Sequence, residues 1–326
     1  MNLERAAEQS VIGAILHEPA QFGEVREWLE PDDFYGTAER QAFEAMRVLA
    51  DRGEVISPEA VDQELKSRRT PAAELADGAF VIGCMQRCPE SSRAAVYGRM
   101  VLELSVRRTV ADHATRLRQR AGNAVSSHDL NLVFAGVDAV RRDVERLHQR
   151  EAQAARAHSP TPLLSGQLAP LTRRPRHDEL TNERVAVAAL VQNPGALATV
   201  HRWLRPGDFG DDECRGLYAQ LTALHDAKNP IDSLTLAWRA KKVGLQGPAC
   251  DALLAGPGSE SVAADPVLAS RRVLEQSVRA AVVATADELE ELAQRRTVNA
   301  TSQAYARLNN LWPQQRRLVK AGLSST

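Results

Sequence analysis

A long internal repeat constrains this chain of 326 residues more than any other feature. Residues 8–56 align without a gap to residues 183–231, and 13 of the 49 aligned pairs are identical. Unrelated stretches would share about 3 such identities, given average residue usage. Residues 101–107 also align with residues 273–279 at six of seven positions, although the offset falls from 175 to 172. One structural unit is therefore present twice, and the chain must fold as two related parts.

The length of the chain and the length of the repeat together predict its domains. A chain of this size has room for about two domains of ordinary size. A repeat this long in only two copies is a domain duplication, because solenoid arrays need three or more short units. The sequence predicts a first domain at 1–157, a linker rich in proline and arginine at 158–177, and a second domain at 178–326.

Apolar residues follow a helical period in the first part of each copy. Val11 and Ile15 belong to the apolar stripe of an amphipathic helix that opens the first copy. Ser57 before Pro58 is typical of a helix start, because serine caps the first turn and proline is tolerated at its first position. A further helical segment is predicted at 73–85. Each copy therefore begins as a small bundle of short helices.

Longer helical segments follow each bundle. Residues 97–121 and 130–157 form two long helices in the first copy, joined by a short turn. Residues 266–296 and 300–321 suggest the same hairpin in the second copy, broken or frayed at Pro313. No segment shows the alternation of a strand. The predicted fold is all-α, with two copies of a small helical bundle, each followed by a long helical hairpin.

Charge and composition narrow the possible functions. The net charge of −1 and the pI near 6.7 give the chain as a whole no electrostatic attraction to nucleic acid or membranes. Four cysteines in a chain of this length do not suggest a disulfide framework, and no histidine or second cysteine pair completes a metal site. No apolar run approaches the roughly 18 residues of a membrane span. We therefore expect a soluble, cytoplasmic protein without a cofactor, a metal or a membrane partner.

The motifs of the first copy resemble those of a known family. The string EQSVIGAIL at 8–16 is followed by PDDFY at 31–35, and then by Arg40 and Phe43. This order and spacing resemble the N-terminal domain of bacterial replicative helicases of the DnaB type. The resemblance covers residues 3–156 well. The second copy is a more diverged match.

The resemblance implies both a fold and a set of partners. In that family the domain is a helical bundle followed by a helical hairpin, it associates with its own kind into a collar, and its hairpin region engages primase. Two such domains in one chain imply intramolecular pairing, hairpin against hairpin, or self-association. The second copy keeps Asp208 and Phe209 but has Ala188 where the first copy has Gly13. We therefore expect the two copies to share a fold and to differ in their surfaces.

The sequence also bears on catalysis. A helicase of this type continues into an ATPase domain with a phosphate-binding loop, G-x-x-x-x-G-K-[ST]. No Gly-Lys dipeptide occurs in these 326 residues, and the nearest glycine cluster, at 256–259, contains a proline and no lysine. We therefore expect no enzyme activity and no catalytic residues.

Three groups of residues are candidates for structural or functional roles. The first group is the motif shared by the two copies, in which tryptophan predicts core packing and aspartate predicts a helix cap or a turn: Trp28, Asp33, Phe34, Arg40, Trp203, Asp208, Phe209 and Arg215. The second group, on the first predicted hairpin, is the candidate partner-binding surface: Tyr97, Arg107, Arg108, His128, Arg141 and Arg142. The third group is a basic cluster in the linker and a candidate nucleic-acid contact: Arg173, Arg174 and Arg176.

Three functions are compatible with these features. The first is a non-catalytic protein interaction module of bacterial DNA replication, part of a primosome, that binds replicative helicase, primase or both. The second is a DNA-binding accessory protein of plasmid or phage replication that uses the basic hairpins and linker. The third is a diverged scaffold with no role in replication. We favour the first, because the motifs resemble the helicase N-terminal domain and the phosphate-binding loop of the ATPase domain does not occur in these residues.

Overall fold

The computed structural model describes residues 3–157, 177–255, 264–295 and 299–323. The regular secondary structure of these residues consists of α-helices and short 3-10 turns, and no strand occurs among them. The all-α prediction is confirmed. The predicted linker lies outside the described residues except for its last residue, which begins a helix.

The first bundle is made of short helices whose starts are set by local capping. Its helices are α1 (Leu3–His17), α2 (Phe22–Val25), α3 (Thr37–Asp51), α4 (Pro58–Arg68), α5 (Pro71–Glu74) and α6 (Gly78–Arg87), with 3-10 turns at Pro19–Gln21 and Pro31–Asp33. Ser57, Thr70 and Asp77 cap α4, α5 and α6 by accepting a hydrogen bond from the backbone N–H three residues ahead. The single helix predicted at 73–85 is wrong, because Asp77 begins a new helix there.

The described residues of the second bundle repeat this order. It contains α9 (His177–Gln192), α10 (Leu197–Val200), α11 (Asp212–Asp226), α12 (Ser233–Lys242) and α13 (Pro248–Ala255), with 3-10 turns at Pro194–Ala196 and Pro206–Asp208. Asp232 caps α12 where Ser57 caps α4, and its carboxylate accepts a hydrogen bond of 2.7 Å from the N–H of Thr235. Equivalent sequence signals therefore begin equivalent helices in the two copies.

The last helix described in each bundle is held by different contacts. Helices α1 and α6 approach so closely at Gly13 that an added Cβ atom would collide with the carbonyl oxygen of Cys84. The second copy has Ala188 at the position of Gly13, and the last helix that the structure describes in its bundle, α13, packs on α11 and α12. The carboxylate of Glu213 accepts hydrogen bonds of 2.8 and 3.0 Å from amides in the first turn of α13.

Aromatic rings fill the centre of both bundles. The ring centroid of Phe43 lies 4.8 Å from that of Phe34 and 5.7 Å from that of Phe22. In the second bundle the centroids of Phe209 and Tyr218 are 4.9 Å apart. All five residues are buried, and rings at these separations and tilts stabilise a core beyond the area that they remove from water.

Long helices follow each bundle and form the predicted hairpins. The first hairpin consists of α7 (Ala94–Asn123) and α8 (Ser127–Ala157). The second consists of α14 (Pro266–Gln294), α15 (Ala300–Asn309) and α16 (Trp312–Lys320). Pro313 lies in the first turn of α16, where its missing N–H costs no helical hydrogen bond. The predicted break at this proline is confirmed, and it separates α15 from α16.

The described residues form two compact units whose boundaries cut across the hairpins. The first unit contains residues 3–113, 140–157 and the described part of 289–305. The second unit contains the described residues of 114–139, 177–288 and 306–323. Each unit therefore combines the bundle of one copy with the turn end of the other copy's hairpin. The domains predicted from the sequence follow the repeat instead.

Candidate protein interaction site

A buried aspartate joins the first bundle to both helices of its hairpin. Asp33 is 2% exposed, and its carboxylate accepts hydrogen bonds of 2.8 Å from the N–H of Glu30 and 2.7 Å from the hydroxyl of Ser105 on α7. The same carboxylate forms an ion pair with Arg150 on α8. The guanidinium also donates a hydrogen bond of 2.9 Å to the carbonyl of Trp28. We call Asp33, Ser105 and Arg150 the first anchor.

The second copy contains the same arrangement. The carboxylate of Asp208 accepts hydrogen bonds of 2.7 Å from the N–H of Arg205 and 2.9 Å from the hydroxyl of Ser277 on α14. It also pairs with Arg317 on α16, whose Nε donates a hydrogen bond of 2.7 Å to the carbonyl of Trp203. We call Asp208, Ser277 and Arg317 the second anchor. The repeat therefore keeps a buried, charged connection between bundle and hairpin, in addition to an apolar core.

The internal repeat marks two members of each anchor and misses the third. The aspartates and the serines lie in the two aligned blocks, at offsets of 175 and 172. Arg150 and Arg317 are 167 residues apart, outside both blocks, so no alignment signal pairs them. The tryptophans whose carbonyls they contact are each 2% exposed and lie in the cores of the two bundles.

A buried glutamate on the first helix of each copy fixes the start of the third. The carboxylate of Glu8 is buried and accepts hydrogen bonds of 2.6 Å from the N–H of Tyr35 and 3.1 Å from the N–H of Gly36. Burial raises the pKa of Glu8, although these two hydrogen bonds act in the opposite direction. Glu183 accepts equivalent hydrogen bonds of 2.8 and 3.0 Å from the amides that precede α11.

The two arginines of the shared motif contact the backbone beside these glutamates. Arg40 donates a hydrogen bond of 3.1 Å to the carbonyl of Phe34. Arg215 donates two, of 2.9 and 3.2 Å, to the carbonyl of Phe209. Both phenylalanine side chains are buried, so the arginines satisfy carbonyls at the edge of the core.

Helices from the two copies meet inside each compact unit. In the first unit the hydroxyl of Thr301 on α15 donates to Glu151 on α8 and lies 3.1 Å from a ring nitrogen of His148. Burial raises the pKa of Glu151, and the hydrogen bond from Thr301 opposes this shift. In the second unit Arg118 on α7 lies 2.7 Å from the carboxylate of Asp287 on α14. The turn ends of both hairpins therefore make specific polar contacts.

The residues proposed as a partner-binding surface are divided between the two compact units. His128 belongs to the second unit, whereas Tyr97, Arg107, Arg108, Arg141 and Arg142 belong to the first. Arg108 pairs with Glu4, donates to the carbonyl of Asp33 and stacks 5.5 Å from the ring centroid of Tyr35. His128 and Arg142 are exposed. Of this group, Arg108 serves the fold of the first unit.

The other residues proposed on the hairpin and the linker differ in their contacts and in their exposure. Arg107 lies 3.2 Å from the carboxylate of Glu103, one helical turn away on α7. Tyr97 and Arg141 are half-buried. The basic cluster of the linker, Arg173, Arg174 and Arg176, lies outside the described residues.

An open groove lies between α7 and α8 at the turn end of the first hairpin. Its volume is about 640 Å³. Its lining residues are Gln119, Arg120, Asn123, Ala124, Asp129, Leu132, Val133, Ala135, Gly136 and Ala139. Its small side chains come from α8 and from Ala124 in the turn. An added Cβ at Gly136 would lie 2.5 Å from the guanidinium of Arg120.

The groove has an exposed apolar rim. Leu132 is 58% exposed, and Val125 in the adjoining turn is 82% exposed. Exposed apolar side chains beside a concave surface are typical of protein interaction sites. The sequence did not predict this site, because an apolar residue at helical spacing on α8 gives the same pattern as a core residue.

Metal sites and membrane spans are absent from the described ranges. Residues 3–157, 177–255, 264–295 and 299–323 contain no group of three or more side chains placed to hold a metal ion. No described helix is long and apolar enough to cross a membrane.

Comparison with known proteins identifies the family. The model of the DnaB-like helicase N-terminal domain matches residues 1–103 and again residues 175–249, together more than half of the chain. The chain belongs to this family. The two matched segments coincide with the two bundles, and the resemblance noted in the sequence is confirmed for both copies.

Individual relatives match part of the chain. The replicative DNA helicase DnaB of Geobacillus stearothermophilus is 30% identical over 149 residues, which cover 46% of this chain and 32% of that helicase. The replicative DNA helicase DnaC of Bacillus subtilis is 33% identical over 114 residues, which cover 35% of this chain and 25% of that helicase. The chain thus spans a quarter to a third of the length of these curated relatives.

A solved structure also matches. The crystal structure of the N-terminal domain of DnaB helicase from Mycobacterium tuberculosis is 27% identical, with a TM-score of 0.38. The match covers 43% of this chain and 97% of that domain.

Proposed function

We propose that this chain is a non-catalytic interaction module of bacterial DNA replication, acting in the cytoplasm and binding replicative helicase, primase or both. The observation that carries the proposal is the occurrence of the DnaB-like helicase N-terminal domain in both copies. The resemblance attributes collar formation and primase contact to this domain. The relatives named above are replicative DNA helicases that extend far beyond the matched region.

The two copies take the place of two separate molecules in this proposal. The contact between Thr301 and Glu151 in the first unit supports it, as does the contact between Arg118 and Asp287 in the second. In addition, Arg279 on α14 donates a hydrogen bond of 2.8 Å to a carbonyl in the turn of the first hairpin. A pair of copies tied by one chain forms at a high effective concentration, without a second molecule.

The groove between α7 and α8 is the proposed contact for helicase or primase. Its apolar rim suits a helix from the partner, since an amphipathic helix laid into a groove buries apolar side chains on both sides. Leu132 and Val125 would supply that contact on this chain. The groove lies on the hairpin, the region through which the resemblance implies primase binding.

Binding measurements with both candidate partners test the proposal. The full chain is titrated by calorimetry against the replicative helicase and against the helicase-binding domain of primase from the same host. We expect binding to at least one partner, with a dissociation constant in the micromolar range or tighter. Leu132→Glu places a charge on the apolar rim and should weaken binding by about tenfold or more.

A matched control separates this contact from general effects of charge. Leu75→Glu introduces the same charge at a residue of the first bundle that is 61% exposed, close to the 58% of Leu132. This variant should bind like the unmodified chain. Failure to bind either partner at tens of micromolar contradicts the proposal, and equal weakening by both variants contradicts the groove as the contact.

The same preparation tests the non-catalytic role and the DNA-binding alternative. We expect ATP hydrolysis no faster than the buffer background. A titration with single-stranded and double-stranded DNA at low salt should show weak binding or none, because several hairpin arginines already pair with carboxylates of the chain. Tight, salt-sensitive DNA binding without helicase or primase binding would favour the alternative.

A further inference from the structure

Helix α12 of the second copy exposes apolar side chains that its counterpart α4 does not. Leu234 is 71% exposed and Trp238 is 63% exposed, and they lie four residues apart on one face of the helix. The aligned residues of α4 are Glu59 and Gln63, both exposed and polar. The same helix of the same fold is therefore polar on its outer face in one copy and apolar in the other.

The exposed pair on α12 is additional to the packing of the helix. The opposite face buries Leu236, Ala237 and Ala240 against α11 and α13. These three residues supply the amphipathic stripe that attaches the helix to its bundle. Leu234 and Trp238 are not needed for that attachment, and α4 is attached without apolar residues at the equivalent positions.

The charge of the two helices also differs. Helix α12 carries Arg239, Lys241 and Lys242 and no acidic residue, whereas α4 carries three acidic and two basic residues. Both lysines are exposed, and Nζ of Lys242 lies 5.6 Å from the ring centroid of Trp238. The outer face of α12 thus has an apolar strip followed by a cationic end.

We infer that this outer face, made of Leu234, Trp238, Lys241 and Lys242, docks an acidic amphipathic segment of a partner protein. Apolar side chains of that segment cover Leu234 and Trp238, and its carboxylates lie beside the two lysines. Tryptophan is enriched among the residues that dominate binding at protein interfaces. The inference goes beyond the proposed function, since α12 belongs to the second bundle and not to the groove on the first hairpin.

The chemistry of the face favours a peptide over single-stranded nucleic acid. Nucleic acid binding without sequence preference uses several aromatic rings on which successive bases stack, along a basic groove. Here the strip combines one tryptophan with a leucine, which has no ring to stack on a base. The carboxylate of Asp232 also lies at the start of the same helix, bound to the amide and hydroxyl of Thr235.

A screen of a peptide library for binding to the full chain tests the inference. The probes are fluorescent helical peptides of about 18 residues, long enough for partial helicity, each with an apolar pair four residues apart followed by two carboxylates. Charge-reversed peptides with lysines in place of the carboxylates and an oligothymidylate serve as competing probes. We expect acidic peptides to bind, and charge-reversed peptides to bind at least about tenfold more weakly.

Substitutions taken from the first copy identify the surface. Leu234→Glu with Trp238→Gln installs the residues of α4 at the same positions, so the fold is retained, and binding of the acidic peptides should fall by about tenfold or more. Lys241→Glu with Lys242→Glu should also weaken binding and remove most of its dependence on salt. Leu75→Gln removes a leucine of the first copy that is 61% exposed and should leave binding unchanged.

Three results would overturn the inference. The first is a library without a single acidic peptide that binds at hundreds of micromolar. The second is peptide binding that survives the Leu234→Glu, Trp238→Gln substitution while the denaturation midpoint is unchanged. The third is binding of the oligothymidylate that depends on Trp238 in the absence of peptide binding. Helicase or primase binding that depends on Leu132 is a separate outcome, and it can succeed or fail independently.

Discussion

The two copies keep the buried aspartates that connect bundle and hairpin and differ in many of the residues around them. Asp33 and Asp208 each connect a bundle to a hairpin serine and a hairpin arginine, with nearly equal geometry. The contacts of the last described helix of each bundle and the outer face of α12 or α4 differ between the copies. We therefore expect the buried connections between bundle and hairpin to define this fold, since they are retained while surfaces away from them differ.

Residues that contact the buried glutamates of the first helices also differ between the copies, and they differ in pairs. In the first copy an added Cβ at Gly36 would collide with the carboxylate of Glu39, which binds Arg5 and Gln9. In the second copy Asp211 and Cys214 occupy these two positions. The second copy thus has a shorter side chain than Glu39 within the helix and a larger one than Gly36 just before it. The glutamate of the first helix keeps its contacts in both copies.

Loss of an anchor aspartate should have the largest effect on stability. Asp33→Ala and Asp208→Ala each leave a guanidinium without its carboxylate, and we expect a loss of about 3–5 kcal/mol in the free energy of unfolding. The loss should be greater in the second copy, because the side chain of Arg317 is 8% exposed and that of Arg150 is 15% exposed. Urea denaturation measures both values.

Exposed aspartates close to the same elements provide the control. Asp32 and Asp212 each lie beside an arginine, and the side chain of each is 90% exposed. Asp32→Ala and Asp212→Ala should change the free energy of unfolding by less than about 1 kcal/mol. Anchor variants no more destabilising than these controls would show that the shared carboxylates do not define the fold.

A double substitution should test whether the differences near the glutamates are coupled. Gly36→Asp alone brings a side chain against the carboxylate of Glu39 and should cost about 2 kcal/mol. Adding Glu39→Cys recreates the pair found in the second copy and should recover most of that loss. A double-mutant cycle from thermal or urea denaturation gives the coupling energy. Additive effects would mean that the two positions changed independently.

The pH dependence of stability should reflect the buried glutamate of the first copy. Because the fold raises the pKa of Glu8 above its ordinary value of 4.5, the folded state binds this proton more tightly than the unfolded chain. Stability contributed at this site should therefore fall as the pH rises from 4.5 through the folded pKa, and then level off. Glu8→Gln should remove that dependence.

The difference in unfolding free energy between the wild type and Glu8→Gln isolates this effect from other carboxylates. As the pH rises through this window, we expect the unfolding free energy of the wild type to fall relative to that of Glu8→Gln, whatever the difference at low pH. A constant difference would mean that the surroundings of Glu8 do not disfavour its charge. If the wild type instead gains stability relative to Glu8→Gln over this window, folding lowers the pKa of Glu8.

Substitution of the exposed pair on α12 should have the smallest effect on stability. Leu234→Glu with Trp238→Gln replaces exposed side chains by those of the first copy, and we expect a change within about 0.5 kcal/mol. Urea denaturation of the full chain measures it. A loss of several kilocalories per mole would show that these side chains pack within the protein, in contrast to their counterparts on α4.

The sequence predicted the elements of the fold because its signals are local. Amphipathic stripes, capping residues and prolines specify where helices begin and end, and Ser57, Asp232 and Pro313 act as expected. The repeat also marked the anchor aspartates and serines. It could not pair Arg150 with Arg317, because the intervening loops differ in length between the copies.

The candidate sites were harder to predict because they depend on which faces are covered. A helical pattern shows that one face of α8 or α12 is apolar, but it does not show what packs on that face. Leu132 and Trp238 therefore look like core residues in the sequence and are exposed in the structure. Contacts between the hairpins, such as that of Arg118 with Asp287, join residues far apart in the chain without a local signal.

The mass of the full chain in solution tests most directly whether the two copies pair within one molecule. Sedimentation velocity at increasing concentrations should give a single chain of 35.6 kDa, or three chains if the copies rebuild a ring of six domains. A stable complex of two or six full chains would contradict the account, because it would mean that the copies pair between molecules.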